Sequence, residues 1–281
     1  MAERPRGSYG WPVHPFNRQH PVRGFMNDPR GSRRLYFHFG IDVSAPDGTP
    51  VHAVAPGKVV RQGGRAVAVD APGGGRTFGY WHIVPAVAHG ERVERHQLLG
   101  HIAEGWGHVH FAERRPDGYR NPLRRGGIHP FVDRTPPTIT SIGFFRRGRA
   151  VPPDRVHGTV AIIVEAFDRT PLRVAAPWAR LPVTPALIRW RVKESRRIVV
   201  PWRTAIDSRF AMLAPERIRD VYASGTRQNH ANSPGRYRFY LQREWKSSGL
   251  PDGAYHLEVA ASDTRGNRTV ARLPFTIANT V

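Results

Sequence analysis

The chain has 281 residues, 40% of them hydrophobic, which is enough apolar material for one large domain or two ordinary ones. It contains no cysteine, so disulfides, thiolate metal sites and a cysteine nucleophile are excluded, and any metal has to sit on His, Asp or Glu. The formal net charge is +21, carried almost entirely by scattered arginines; such a field attracts polyanions, but the contiguous basic stripes with aromatic platforms of a nucleic-acid binder are missing, and nucleic acid is not an expected partner.

Residues 1–30 are rich in Pro, Gly and Arg, with Trp11, Phe16 and Phe25 interspersed, and read as an irregular N-terminal arm packed on the domain that follows. The opening stretch MAERPRGSYGWPVHPF has no apolar core of a signal peptide, and no apolar run along the chain approaches the ~20 residues of a membrane span. From Leu35 to about Pro122 the text alternates strand and turn. LYFHFGIDV, PVHAVAPGKVVRQ, RAVAVDA, RTFGYWHIV, QLLGHIAEG and GHVHFAER each have strand character, punctuated by Gly48, Pro56-Gly57, Gly63-Gly64 and Gly73-Gly74-Gly75. No crossover helices are evident, so the sheets are expected to be antiparallel and the fold all-β.

FVDRTPPTI, Phe131 to Ile139, reads as a domain boundary, because Pro136-Pro137 cannot sit inside a central strand and a new strand pattern starts directly after it. The predicted division is an arm at 1–30, a first domain at 31–134 and a second at 135–281. In the second, GTVAIIVEAFD, ALIRWRVK, RIVVPW, GRYRFYLQREW and GAYHLEVAASDTRGNRTVARLPFTI resemble the strands of a β-sandwich. The last two strands flank a hairpin turn at Asp263-Thr264-Arg265-Gly266-Asn267, and the less regular portion from about Pro177 to Arg219 is expected to hold an insertion or a short helix.

Eleven of the 14 histidines precede residue 135, which makes the first domain the place to look for a metal. In His108-Val109-His110, residues i and i+2 of a strand point to one face, about 7 Å apart, so one imidazole can bind a metal while the other works on a substrate. His38 and Asp42 also share a strand face, but lie about 13 Å apart if the chain is fully extended; they reach one ion only if the backbone bends, and Gly40 is where a bend costs least. His82 follows Tyr80 and Trp81. Taken alone, each of these reads first as a surface or packing residue rather than as part of a site.

Their order changes that. HFGIDVSAPDGTPVHAVAPGKVV, FGYWHI, GERVERHQLLGHIAEG, GHVHFAE and NPL, across roughly residues 36 to 123, closely resemble the lysostaphin or LytM type of zinc peptidase, with valine in place of leucine in HVHF. The resemblance implies an antiparallel peptidase core of the duplicated-hybrid-motif kind, and zinc as cofactor. It implies His38, Asp42 and His110 as metal ligands and His82 and His108 as catalytic histidines, with His108 as general base and His82 stabilising the charge on the attacked carbonyl. The fourth metal position belongs to water, as in an open catalytic site. The metalloprotease helix motif H-E-x-x-H, with its glutamate base, is absent.

The implied function is a metalloendopeptidase that hydrolyses peptide bonds in bacterial peptidoglycan, either stem peptides or cross-bridges, outside the cytoplasm. The alternative is a non-catalytic wall-binding scaffold or an activator of another wall hydrolase. The loop before HVHF, Ala103 to Gly107, is shorter than in related enzymes, which should reshape one wall of the groove. Trp81 and Trp106 are candidates to line it, and Asn17 and Asp28 of the arm to reach it. The segment LPDGAYHLEVAASDTRGN resembles immunoglobulin-like or fibronectin-like bacterial modules, so residues 135–281 are expected to form an immunoglobulin-like sandwich. After residue 134 there are 24 Lys+Arg against 11 Asp+Glu, a net +13, and before it 19 against 11, a net +8. The more basic second half is the expected contact for anionic wall polymer.

Overall fold

The structure is a computed structural model that describes residues 7–280. It is almost wholly β, and every pair of strands is antiparallel. The first part of the chain builds an eight-stranded sheet. Its path runs Val22–Gly24, Ile41–Ser44, His108–Arg115, Thr77–Trp81, Ala66–Asp70, Gly57–Gly63 and Arg92–Val93, with Gly118–Arg120 paired off His108–Arg115. A three-stranded sheet of Pro50–His52, Leu98–Ile102 and Ile83–Pro85 shares its apolar core.

The alternation of the central strands explains what faces where. Val109 and Phe111 are fully buried in the core, as are Ile41 and Val43 on one neighbouring strand and Phe78 and Tyr80 on the other. The intervening residues Asp42, His108, His110 and Trp81 therefore project to the opposite face. The register seats His110 between Asp42 on one side and Trp81 on the other.

The arm is more regular than its composition predicts. Val22–Gly24 is the edge strand beside Ile41–Ser44, and a bridge from Tyr9 to Ile128 and the fully buried Trp11 tie the earlier residues to the core. Composition misses this strand because its three residues, VRG, are too few to show a period.

Beyond Thr138 two four-stranded sheets face each other. One runs Arg149–Val151, Thr138–Arg146, Thr159–Phe167 and Arg238–Lys246; the other Arg197–Asp207, Leu187–Glu194, Gly253–Ser262 and Arg268–Ile277. Trp190, Phe239, Tyr255 and Phe275 fill the space between them. The hairpin at Asp263–Asn267 forms as the turn residues predict, with Ser262 opposite Arg268. The region from 177 to 219 contains two of these strands, and a single turn of α-helix, Ile218–Val221, follows from its last residues.

The two halves exchange core residues. Phe37 packs into the sandwich core, and Val183 into the core of the first sheets. The turn at residues 25–28 is held from the other half as well: Thr184 N donates to Asp28 Oδ1 (2.7 Å), Leu213 N to Asn27 Oδ1 (3.1 Å), and the Tyr222 hydroxyl to Asn27 O (2.5 Å).

Candidate metal centre and cleft

Tyr36–Phe37 pairs with Pro29–Arg30 in a separate two-stranded sheet, and the three residues between it and Ile41–Ser44 of the large sheet lie outside any strand, which lets His38 fold back over Asp42. The backbone of His38 is pinned to the arm, with Asn27 N donating to His38 O (2.8 Å) and His38 N to Asp28 O (3.0 Å). Gly40 serves this arrangement by its size. Its φ is not left-handed, but a Cβ there would lie 2.3 Å from Phe111 O and 3.0 Å from the His110 ring.

Three side chains that lie 4 to 72 residues apart in sequence then converge. His38 Nε2 is 2.8 Å from His110 Nδ1 and 3.0 Å from Asp42 Oδ1, and His110 Nδ1 is 3.1 Å from the same oxygen. All three residues are buried. Tautomers follow from the partners. His38 Nδ1 lies 2.8 Å from Phe25 O, a carbonyl that can only accept, so the ring proton sits on Nδ1 and Nε2 presents a lone pair. Burial pushes the His38 and His110 imidazoles down, His110 to about 4. Burial alone would raise the Asp42 carboxyl, but the surrounding histidines hold it well below the usual range.

Two neutral imidazoles and an ionised carboxylate thus aim lone pairs at one point, which is the donor set and protonation state that a zinc ion takes. Tetrahedral zinc bonds of 2.0–2.2 Å place such donors roughly 3.3 Å apart, close to the spacing here. The residues fit the metal.

The supporting residues come from the arm. Arg30 Nη2 donates to Asp42 Oδ2 (2.9 Å), with Asp28 Oδ2 3.6 Å from the other guanidinium nitrogen, and the Asp28 carboxylate also accepts from Phe25 N (2.8 Å). Burial pushes Asp28 up to about 6, against the pull of Arg30 and the amides. Neither arm residue lines the cleft: Asp28 is buried behind Arg30, which does line it, and Asn17 is exposed outside it. Arg30, Arg23 and the Phe25 carbonyl carry no sequence signal of their own, because their role depends on where the arm docks.

His108 stands beside the cluster, its Nε2 3.4 Å from Asp42 Oδ1. Its Nδ1 lies 2.7 Å from both Trp106 O and Arg23 Nη2. A carbonyl only accepts and a guanidinium only donates, so the two contacts exclude each other in any one tautomer. His82 lies across from it, ring centroids 4.7 Å apart, stacked on Trp106 at 3.6 Å and 10°. Its backbone is left-handed, φ 67°, a conformation that non-glycine residues hold only where the surroundings enforce it. Burial and the neighbouring histidines push its imidazole down to about 3, so it is neutral across the ordinary pH range.

All five histidine and aspartate positions singled out in the sequence line one cleft of about 390 Å³. Trp81 and Trp106 are in its wall, as the sequence suggested. Its far wall was not legible: Trp178 and Gln228 to His230 come from the second half, and the Arg23 guanidinium lies 4.2 Å over the Trp178 ring. Three of the remaining histidines, His14, His52 and His96, pack around Phe16 away from the cleft.

Residues 36–122 match peptidase family M23. No curated protein matches the chain. Among solved structures it is similar to the catalytic domain of the antimicrobial peptidase lysostaphin from Staphylococcus simulans, 24% identical over 36% of this chain and 86% of that one, TM-score 0.33. It is also similar to a mutant catalytic domain of the prophage-encoded M23 protein EnpA from Enterococcus faecalis, 28% identical over 39% of this chain and 95% of that one, TM-score 0.31. For Csd3 of Helicobacter pylori the identity is 22% over 38% of this chain and 34% of that one, TM-score 0.31, so the match spans about a third of that protein. The match to peptidase family M23, residues 36–122, thus spans less than half of the chain and takes in all five residues of the candidate site.

Proposed function

We propose that the chain is a zinc-dependent endopeptidase that hydrolyses peptide bonds of bacterial peptidoglycan outside the cytoplasm, with the peptidase unit at 31–134 and residues 135–281 as an immunoglobulin-like module. The observation that carries this reading is the convergence of His38 Nε2, Asp42 Oδ1 and His110 Nδ1 within 3.1 Å of one another, with two further imidazoles on the same cleft. Zinc held by those three residues would supply a Lewis acid for the scissile carbonyl and an attacking water of lowered pKa.

The remaining work falls to side chains of this chain. An N–H on His108 Nδ1, donated to Trp106 O, leaves a lone pair on Nε2, the atom that faces Asp42. There His108 takes the proton of the attacking water as general base and passes it to the leaving amine. His82, kept neutral, offers an N–H to the oxygen of the attacked carbonyl as negative charge builds on it. The stack on Trp106 holds that ring in place before substrate arrives. The apolar faces of Phe39, Trp81 and Trp178 suit an extended peptide, and Gln228 to His230 give polar contacts for its backbone.

The test is zinc content paired with amine release from purified peptidoglycan. About one zinc per chain with activity is expected in the parent. His108→Ala should keep the zinc and lose at least about 100-fold in rate, the lower range for a general base. A zinc-loaded parent that cleaves no peptidoglycan type would overturn the enzyme in favour of a wall-binding scaffold.

A wall-polymer contact belongs to the same proposal. Arg191, Arg268 and Arg189 place their guanidinium groups 4.6, 5.3 and 5.6 Å from the Trp202 ring, concentrating positive charge on one sheet of the second half. Retention on wall sacculi should fall steeply toward about 1 M salt, where the screening length is about 3 Å. Retention that survives high salt would exclude an electrostatic contact.

A further inference from the structure

A second set of acidic groups lies where the two halves meet. Asp133 follows the first part of the chain directly, Asp168 comes immediately after the strand Thr159–Phe167, and Asp263 opens the turn before Arg268–Ile277. Their carboxylates offer ligand atoms all within 4.8 Å of one another, and all three residues are buried, Asp168 to 1% exposure. Among the described residues none of the three has a Lys, Arg or His partner within ion-pair distance. Arg265, which interacts electrostatically with Asp133 and Asp263, has its Nε committed to Phe131 O (3.1 Å).

Each aspartate accepts from at least one backbone amide just after it in the chain. Thr135 N donates to Asp133 Oδ1 (2.9 Å), Arg169 N to Asp168 Oδ1 (2.7 Å), and Arg265, Gly266 and Asn267 N to Asp263 Oδ1 (2.7–2.9 Å). The first two sit in the same sequence, Asp-Arg-Thr-Pro, at 133–136 and at 168–171. Asp168 Oδ2 is buried and has no hydrogen-bond partner. A small cavity of about 10 Å³ opens beside it, lined by Asp168, Asp263, Thr184 and Ser208 together with apolar side chains such as Phe25 and Leu123.

We propose that Asp133, Asp168 and Asp263 bind a calcium ion that ties the second half to the peptidase half. Three carboxylates in a dry site are stable only with a cation or with protons among them. Asp133 Oδ1 and Asp168 Oδ1, accepting one amide each, keep a second lone pair, and Asp168 Oδ2 keeps both; Asp263 Oδ1 is filled by its three amides, and its Oδ2, which accepts from Asn267 Nδ2 (2.6 Å), keeps one. The all-oxygen donor set suits a hard cation, and calcium, unlike magnesium, accepts irregular geometry with few retained waters. The site is chemically distinct from the nitrogen-rich cluster at His38, so the two metals sort themselves. Asp28, buried on the same side, raises the Asp168 carboxyl further and links the junction through Arg30 to Asp42. The calcium would thereby stiffen the placement of the cleft's far wall.

The experiment uses the full chain, loaded with one equivalent of zinc and freed of other divalent cations. Calcium chloride is titrated calorimetrically and in thermal unfolding. One calcium per chain is expected, with Tm rising roughly 5 °C at a hundredfold excess over Kd. Asp168→Asn should abolish the calcium response and leave the zinc stoichiometry unchanged. It should also raise the Tm of the calcium-free chain, since it removes a repelling charge, which separates lost binding from failed folding. No heat and no Tm shift with calcium overturn the proposal. So does a calcium-independent Tm that climbs as pH falls from about 8 to 4: burial sets Asp168 at about 8, so protons rather than an ion would then stabilise the cluster.

Discussion

His110→Ala is expected to release the zinc and to lower peptidoglycan cleavage by three orders of magnitude or more, the scale of several kcal/mol of transition-state stabilisation. In the proposed site His110 is the ligand that joins the two parts. It sits on the central strand with its Nδ1 2.8 Å from His38 and 3.1 Å from Asp42. Removing it leaves two donors and an open wall. The readouts are zinc per chain, the Tm shift on adding zinc, and amine release. Zinc should raise the Tm of the parent and leave the variant unmoved, because stabilisation follows ligand binding to the native state. Without zinc the variant should unfold no earlier than the parent by more than the cost of a small cavity, since the parent then carries opposed lone pairs on His38 and His110. A variant that keeps one zinc and the parent's rate would sink the ligand assignment.

The second large effect concerns stability. Glu113 lies three residues beyond His110 on the same strand and faces the core side, fully buried. It holds Arg124 through both oxygens (2.9 and 2.7 Å), accepts from the Tyr9 hydroxyl (2.9 Å), and stands 3.3 Å from Arg76 and Arg115. Glu113→Ala strands the buried Arg124 charge and the Tyr9 hydroxyl together, and should cost about 3–5 kcal/mol in urea unfolding. Burial raises the Glu113 carboxyl, but Arg124 and Tyr9 outweigh it and hold it below its ordinary value of 4.5. Its contribution is therefore fully present above that pH and is lost as pH falls through the lower folded value. The acid limb of the stability profile should flatten in Glu113→Gln, which keeps the shape and removes the titration. A loss below 1 kcal/mol in Glu113→Ala would mean that Arg124 finds water or another partner.

These two residues show how far the sequence reaches. Period-2 alternation in GHVHFAER predicts that His108 and His110 share a face, and the structure has them so, because the opposite face is Val109 and Phe111 in the core. The antiparallel all-β architecture, the Asp263 hairpin and the candidate cluster itself were legible for the same reason: they depend on local pattern and on motif order along a short stretch. The bend that brings His38 to Asp42 was foreseen as a need. Its cause was not, since it lies in the arm's hydrogen bonds to the His38 backbone and in the close approach of Phe111 O to Gly40.

What tertiary structure alone decided is everything that depends on long-range docking. Arg30 on Asp42, the Phe25 carbonyl on His38 and Arg23 between His108 and Trp178 all come from an arm whose two short strands, Val22–Gly24 and Pro29–Arg30, have too few residues for a period. The far wall of the cleft comes from Trp178 and residues 228–230, and the three junction aspartates from positions up to 130 residues apart. A sequence records which side chains a strand offers to each face. It does not record which distant face will be pressed against it, because that is set by the burial of surfaces such as Phe37 and Val183 in each other's cores.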